Sequence, residues 1–412
     1  MRTRIQLLLD KTIGSVLNLF LYGFVRLLGM LLRINHQLDR DIKRIVVCKF
    51  KGMGSIVQAS ALLATLRKNH PKADIRFVST KANAGILKFY SAEINEVILV
   101  DDSSFFRLLS STLKSLFSLW RFRPQVYIDL EIYSNFSTLL CTLSAATNRL
   151  GFYKSDKDYR TGLFTHLMYY NIKAPLSEIY LQMSRILGNK DEVRELIRPI
   201  ITAEMHQNVK QQFPMLASEQ FVVINPNASD LRLERRWPAA SFVALIQSIR
   251  KQHPERIVAL VGNKQEATYV NEIAKEFESD TNVINTSGKL RLNELMALVE
   301  NAAVVVTNDT GPLHLSLALR KATVGLFGPC SPHQYGQMEY CYPVYQNVYC
   351  SPCVHEFMTP PCAGDNQCMK QIEVAQVMIA LNQQLANGGI DSIHQDLTYT
   401  SFQKALGFVY NR

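Results

Sequence analysis

AVVVTNDTGPLHLSLALRKATVGLFG, residues 303–328, is the stretch on which the reading of this chain turns. Val304 to Val306 form an apolar β-branched run of the kind that fills a buried parallel strand. The run breaks into Asn308-Asp309-Thr310-Gly311, and Pro312 stands where a first helical residue belongs. A short apolar helix then reaches Leu319, and Thr323 to Phe327 gives the next strand. The junction gathers free N–H groups and the positive end of a helix dipole, which together make an anion site. Asp309 and Thr310 supply oxygens there for hydroxyls or phosphate, and His314 lies in the first turn, facing the same opening. An ordinary capped βα turn requires the same residue types.

The same alternation extends in both directions. Toward the N-terminus, Ile45 to Cys48 reads as a buried strand, followed by the turn Lys49-Phe50-Lys51-Gly52-Met53-Gly54-Ser55 and a helix from Ile56 to Asn69 closed by Pro71. Further strands are expected at Ile75–Ser79, Val97–Val100 and Val126–Leu130, with a helix near Ala84–Phe89. After a polar connection from Asp191 to Gln220, strands recur at Phe221–Ile224 and Ile257–Val261, with a helix from about Ala240 to Gln252 between them. Strands alternating with helices specify doubly wound parallel sheets. At 412 residues two domains are expected. The division reads as an N-terminal helix over 1–40, α/β domains over 41–195 and 196–385, and a tail over 386–412. Ligands of such sheets lie beyond the carboxyl ends of the strands. Gly52–Ser55, Asp129–Glu131, Arg235, Glu266 and Asp309 all fall there.

Hydrophobic content of 47% with 19% charged residues is that of a globular chain, and the net charge is +10. The excess concentrates at the start, where residues 1–51 hold ten Lys and Arg against Asp10, Asp39 and Asp41. Beside an apolar segment, such a cluster suits an anionic membrane surface. Nothing resembles a basic–aromatic RNA-binding pattern or a recognition helix, so nucleic acid is not an expected partner. The apolar segment, Ile13 to Leu32, is about long enough to span a bilayer but is interrupted by Arg26, Asn18 and Ser15. With basic flanks on both sides and no small-residue cleavage site, it reads as an in-plane or re-entrant helix on the cytoplasmic face. A spanning helix and a helix packed on the protein itself are the alternatives.

Asn308-Asp309-Thr310-Gly311-Pro312-Leu313-His314, with Leu326-Phe327-Gly328-Pro329 and Ser331-Pro332, resembles the signature of glycosyltransferase family 9, the ADP-heptose:lipopolysaccharide heptosyltransferases. The resemblance continues through Val47 to Leu66, Asn69 to Ile75, Ile128-Asp129-Leu130 and Arg149-Leu150-Gly151-Phe152. It covers roughly residues 43–385. It implies a GT-B architecture, two Rossmann-like domains facing a cleft, which needs no divalent metal or other cofactor. In that family the 308–314 segment lines the nucleotide-sugar site, so Asn308, Asp309, Thr310, Gly311 and His314 are the implied donor-binding residues. Arg235 falls where the family has a basic residue clamping the donor diphosphate. Arginine keeps that charge and adds a two-pronged grip. Glu266 falls where the family contacts the nucleoside ribose, although a glutamate at a helix start also simply favours the dipole.

One departure concerns the chemistry. The family's turn is Leu-Gly-Asp, whose aspartate is held to act as base on the acceptor hydroxyl, whereas this chain reads Met53-Gly54-Ser55. Gly54 and Lys51 lie in that turn, on the acceptor side. Serine has no pKa near 7 and is no base unaided. Three outcomes follow. Glu131 or Asp129 takes the proton; a positioned Ser55 with strong leaving-group stabilisation suffices; or the chain does not catalyse. The first is the expectation, with Glu131 clear of its strand end and Asp129 hydrogen-bonding its own loop.

Four of the eight cysteines cluster as Cys350-x2-Cys353-x8-Cys362-x5-Cys368, which suggests a structural zinc site. Reduced loop cysteines and disulfides are the other readings. The expected function is transfer of a heptose-like sugar from a nucleotide sugar, ADP-heptose by resemblance, to a lipid-linked or polysaccharide acceptor such as the lipopolysaccharide core. The enzyme would act as a peripheral protein on the inner face of the cytoplasmic membrane. A nucleotide-sugar-binding protein that has lost transfer, and a nucleotide-sugar epimerase, are the alternatives.

Overall fold

The computed structural model describes residues 3–38, 41–132, 134–154, 160–217, 221–228, 232–336, 339–354 and 360–386. The chain divides into two compact units, the first ending at Ile197 and the second beginning at Arg198. The tail expected from 386 lies, beyond its first residue, outside the described residues.

The first unit holds strands β1 (Arg44–Cys48), β2 (Asp74–Thr80), β3 (Glu96–Val100), β4 (Val126–Asp129), β5 (Asn148–Tyr153) and β6 (His166–Tyr169). They pair in the order β3-β2-β1-β4-β5-β6, all parallel. The second unit holds β7 (Phe221–Asn225), β8 (Ile257–Leu260), β9 (Val283–Asn285), β10 (Val304–Asn308), β11 (Thr323–Phe327) and β12 (Cys341–Tyr345). Its order, β12-β11-β10-β7-β8-β9, is the same winding, again parallel throughout. Each unit thus has the 3-2-1-4-5-6 order of a Rossmann fold, as expected. The winding reverses between β1 and β4 in one sheet and between β7 and β10 in the other. These switch points open at the strands' carboxyl ends, where Cys48 pairs with Asp129 and Thr307 with Asn225.

The β-branched runs explain why the sheets form where they do. Ile45-Val46-Val47 and Val304-Val305-Val306 are fully buried, as central parallel strands covered on both faces must be. The helix after β10, Gly311–Ala318, has Pro in its first turn and is buried from Leu313 to Ala318. A helix with almost no exposed polar face belongs there. The helix expected over Ile56–Asn69 is two, Met53–Gln58 and Ser60–Asn69, joined at Ala59.

The N-terminal helix, Thr3–Leu32, packs against the Asn135–Leu143 helix of the first unit. Asp10 caps that partner helix, its carboxylate accepting from the Asn135 and Phe136 amides at 3.1 and 2.7 Å. Asn18, only 3% exposed, donates to Asn135 Oδ1 at 2.9 Å. Asp10 and Asn18 lie on the docked side of the helix, whereas Leu19, Phe20, Phe24, Met30 and Leu31 on the rest of it are exposed. Its segment Thr12–Leu32 is long and apolar enough to cross a membrane.

Candidate active site

In the second unit, the residues expected at the donor site lie on the turns that leave β10 and β7. Asp309 follows β10 immediately and is 2% exposed. Arg235 Nη1 stands 3.4 Å from Asp309 Oδ2 and donates to its backbone oxygen at 3.3 Å, and His314 Nε2 is 3.6 Å from Oδ1. These are ion contacts longer than good hydrogen bonds. Both Asp309 carboxylate oxygens are buried with no hydrogen-bond partner. Burial alone would raise this carboxyl's pKa. The Arg235 guanidinium, His314 and Cys330 outweigh burial and bring it down to about 2, so Asp309 is ionised at neutral pH. Arg235, His314 and Cys330 hold the charge at longer range, which leaves this buried, ionised carboxylate able to accept from further donors. Tyr335 lies edge-on to His314, with ring centroids 5.6 Å apart.

Asn308 and Thr310 frame this group. Asn308 Oδ1 accepts from the Trp237 amide at 3.2 Å and Nδ2 donates to Asn227 O at 2.9 Å, so its side chain is spent on holding the β7 turn against β10. Thr310 Oγ1 accepts from Asn225 Nδ2 at 2.8 Å. Gly311 begins the helix whose N-terminus opens beside Asp309. Arg236 turns the other way and stacks over Tyr269 at 3.8 Å. Glu266 stands at the end of β8, two strands from β10, where Oε2 accepts from the Asn263 amide at 2.8 Å. The structure therefore brings Arg235, Asp309, Thr310 and His314 together. Glu266 is on the same edge of the sheet, engaged with its own loop. Asn225 and Tyr335 were not singled out from sequence, and only the register of β7 against β10 reveals Asn225.

In the first unit, Glu131 was expected to stand clear of its strand end; instead it is 5% exposed. Its Oε1 accepts from the Phe50 and Lys51 amides at 2.9 and 2.8 Å and from Lys49 Nζ at 2.9 Å. Burial would raise its pKa, but Lys49 and the amides hold it below the usual carboxylate value. Three donors on one oxygen draw the side chain inward, which periodicity along β4 does not reveal. Asp129 is fully buried against Arg160 Nη2 at 3.2 Å and the Ser137 hydroxyl at 2.8 Å. Burial outweighs these partners and raises its pKa to about 6. Asp129 Oδ1 also accepts from the Glu131 amide at 3.0 Å, so it does bond its own loop. Gly52 takes φ +85°, a conformation that favours glycine, and turns the chain toward Ser55. Gly54 is buried, Ser55 is half-buried and Lys51 is exposed. Lys49 and Arg160, the buried cations that hold Glu131 and Asp129, were missed from sequence.

The cysteines all remain thiols. Cys350, Cys353, Cys362 and Cys368 line one cavity of about 460 Å³ in the second unit. Among the described residues no group of three or more His, Cys, Asp or Glu is arranged to hold a metal ion. Burial, reinforced by the neighbouring thiols, raises Cys353 and pushes Cys368 up to about 12.

Comparison with known proteins matches residues 146–362 to the glycosyltransferase family 9 (heptosyltransferase) model. Lipooligosaccharide heptosyltransferase 2 of Haemophilus influenzae is 28% identical over 138 residues, 33% of this chain and 39% of that protein. Lipooligosaccharide heptosyltransferase 2 of Campylobacter jejuni is 23% identical over 331 residues, 79% of this chain and 93% of that protein. Among solved structures, Escherichia coli ADP-heptose LPS heptosyltransferase II superposes with a TM-score of 0.67 at 20% identity, covering 84% of this chain and 99% of that one. The fold is the GT-B architecture.

Proposed function

The chain belongs to glycosyltransferase family 9, the heptosyltransferase family, and on that premise we propose that it transfers a heptose-like sugar from ADP-heptose to a lipopolysaccharide core or other cell-envelope glycan. The observation that carries the donor side is Asp309, whose two buried oxygens lack hydrogen-bond partners between Arg235 and His314. In this reading Asp309 accepts from donor hydroxyls. Arg235 and the N-terminus of the Gly311–Ala318 helix meet the negative charge that builds on the departing diphosphate. That charge stabilisation assigns no role to a divalent ion. Glu266, at the end of β8, takes the nucleoside ribose.

On the acceptor side, the geometry favours the second of the three outcomes considered for the missing aspartate. Glu131 and Asp129 are both buried and engaged, so Ser55 orients the acceptor hydroxyl. Lys51 and Gly54 shape its surroundings. Glu131 acts as a positioning residue that holds Lys49 and the 50–51 amides. The exposed apolar face of the N-terminal helix supports a peripheral place on the inner face of the cytoplasmic membrane. Its polar stripe, already docked on the first unit, favours a helix lying along the bilayer over one crossing it.

Incubating the protein with ADP-heptose and heptose-deficient core acceptor tests the reading, with mass spectrometry of the acceptor and assay of free ADP. Transfer predicts one added heptose and ADP release that depends on acceptor. Because Ser55 replaces the family's aspartate, a non-catalytic binder is the competing reading. Tight donor binding with neither product would establish it.

A further inference from the structure

The Phe105–Phe122 helix lies between β3 and β4, where the sequence reading assigns no element. It runs 18 residues, about 27 Å, from the Ser104 cap, whose side chain accepts from the Arg107 amide. Ser115, Leu116, Leu119 and Phe122 face the core. Adjoining that face, Phe105, Phe106, Leu109, Leu113, Phe117 and Trp120 are 50–80% exposed. An unbroken apolar stripe of this length is unusual on a soluble surface. Arg107, Lys114 and Arg121 are also exposed, and their spacing of seven sets them in one line along the flank of that stripe. The segment from Phe105 to Arg123 contains no Asp or Glu.

Two observations relate this helix to the N-terminal one. Both contact the Asn135–Leu143 helix. Both also send residues into the same buried cluster: Leu21, Tyr22 and Val25 from one, Leu116, Leu119 and Phe122 from the other. They therefore flank one helix on one side of the first sheet. Trp120 Nε1 donates to Leu143 O at 2.7 Å while half the residue stays exposed. A half-exposed indole suits a membrane–water boundary.

We propose that the Phe105–Phe122 helix is a second contact with an anionic lipid bilayer, lying in the interface beside the N-terminal helix. The apolar stripe enters the acyl boundary, and Arg107, Lys114 and Arg121 reach the headgroup phosphates from its flank. The proposal is independent of the transfer reading, because it uses none of the residues at the strand ends. It accounts for charge and apolar area together: one line of cations runs along one stripe with no carboxylate between them.

The test is cosedimentation of the full chain with vesicles of phosphatidylethanolamine and phosphatidylglycerol, set against vesicles of phosphatidylcholine. Two variants leave the N-terminal helix intact: Phe106→Ser with Phe117→Ser, and Arg107→Gln with Lys114→Gln and Arg121→Gln. Each should weaken partitioning about tenfold or more, and the charge variant should also lose the preference for phosphatidylglycerol. Unchanged binding in both would overturn the proposal and leave the N-terminal helix as the sole contact. A lipid-free wild-type dimer that Phe106→Ser with Phe117→Ser splits would overturn it too, because a second copy would then be the occupant. Melting curves monitor folding. Should the phenylalanine variant not fold, the charge variant, at exposed positions, decides alone.

Discussion

Lys49 Nζ lies 2.9 Å from Glu131 Oε1 with both side chains less than a tenth exposed, and the same oxygen receives the amides of residues 50 and 51. The turn that leads to Ser55 is thus built on a buried ion pair. A buried pair contributes little net stability when intact, but removing one partner leaves an uncompensated charge that costs about 3–5 kcal/mol.

Glu131→Gln and Lys49→Met should therefore each destabilise the protein in urea unfolding by amounts of that order, and the double variant by clearly less than their sum. What turnover survives in Glu131→Gln should keep the wild-type pH dependence. A base would behave differently: a stable Glu131→Gln protein, with turnover lower by about 10²–10⁴ and one pH limb gone, would return Glu131 to that role.

Ser55→Ala should lower kcat/KM for the acceptor by roughly tenfold or more while donor affinity stays unchanged, because only the orientation of the acceptor hydroxyl is lost. Ser55→Asp should be neutral or better, since it restores the turn of the family. A silent Ser55→Ala in an active enzyme would remove the serine from the mechanism.

Asp309 predicts a pH dependence of stability. Its folded pKa of about 2 lies below the ordinary 3.8, so the folded state favours the ionised form. That contribution, about 2 kcal/mol, is fully present above pH 3.8 and is lost as pH falls through 2. The difference in urea stability between wild type and Asp309→Asn should therefore shrink between pH 6 and the acid end. A constant difference would show that the carboxylate is not held ionised by Arg235 and His314.

The cysteine cavity gives a chemical prediction. With Cys368 pushed up to about 12 and Cys353 raised, these thiols are protonated at neutral pH. Their alkylation by iodoacetamide should be slow at pH 8 and speed up in stronger base. Elemental analysis is the companion measurement, since a bound zinc or iron would deprotonate these thiols and abolish that slow alkylation profile. A full equivalent would show that the loop closes around a metal.

Much of this was legible in the sequence, for reasons that differ from place to place. The runs at Ile45–Val47 and Val304–Val306 announce central parallel strands because nothing else tolerates consecutive β-branched residues buried on both faces. The Asp309 turn was legible because a proline and a glycine fix where its helix begins. The burial of Glu131 was not legible because alternation gives only the face of a strand residue. It does not show that Lys49, 82 positions earlier, would draw the side chain inward. The Phe105–Phe122 helix carries a helical period in plain view, with Phe105, Leu109, Leu113, Leu116 and Trp120 recurring three or four residues apart, yet it was not singled out from sequence. Asn308 carried a motif position, yet its bonds to Trp237 and Asn227 emerge only once β7 lies beside β10.

The central claim is that the donor binds where β7 and β10 diverge, and calorimetric titration of the full chain with ADP-heptose tests it most directly. Asp309→Ala, His314→Ala and Arg235→Ala should each weaken binding by roughly tenfold or more, with Arg235→Lys between Arg235→Ala and wild type because it keeps the charge. Wild-type affinity in all of these variants, with melting curves showing intact folds, would contradict the account and place the donor elsewhere.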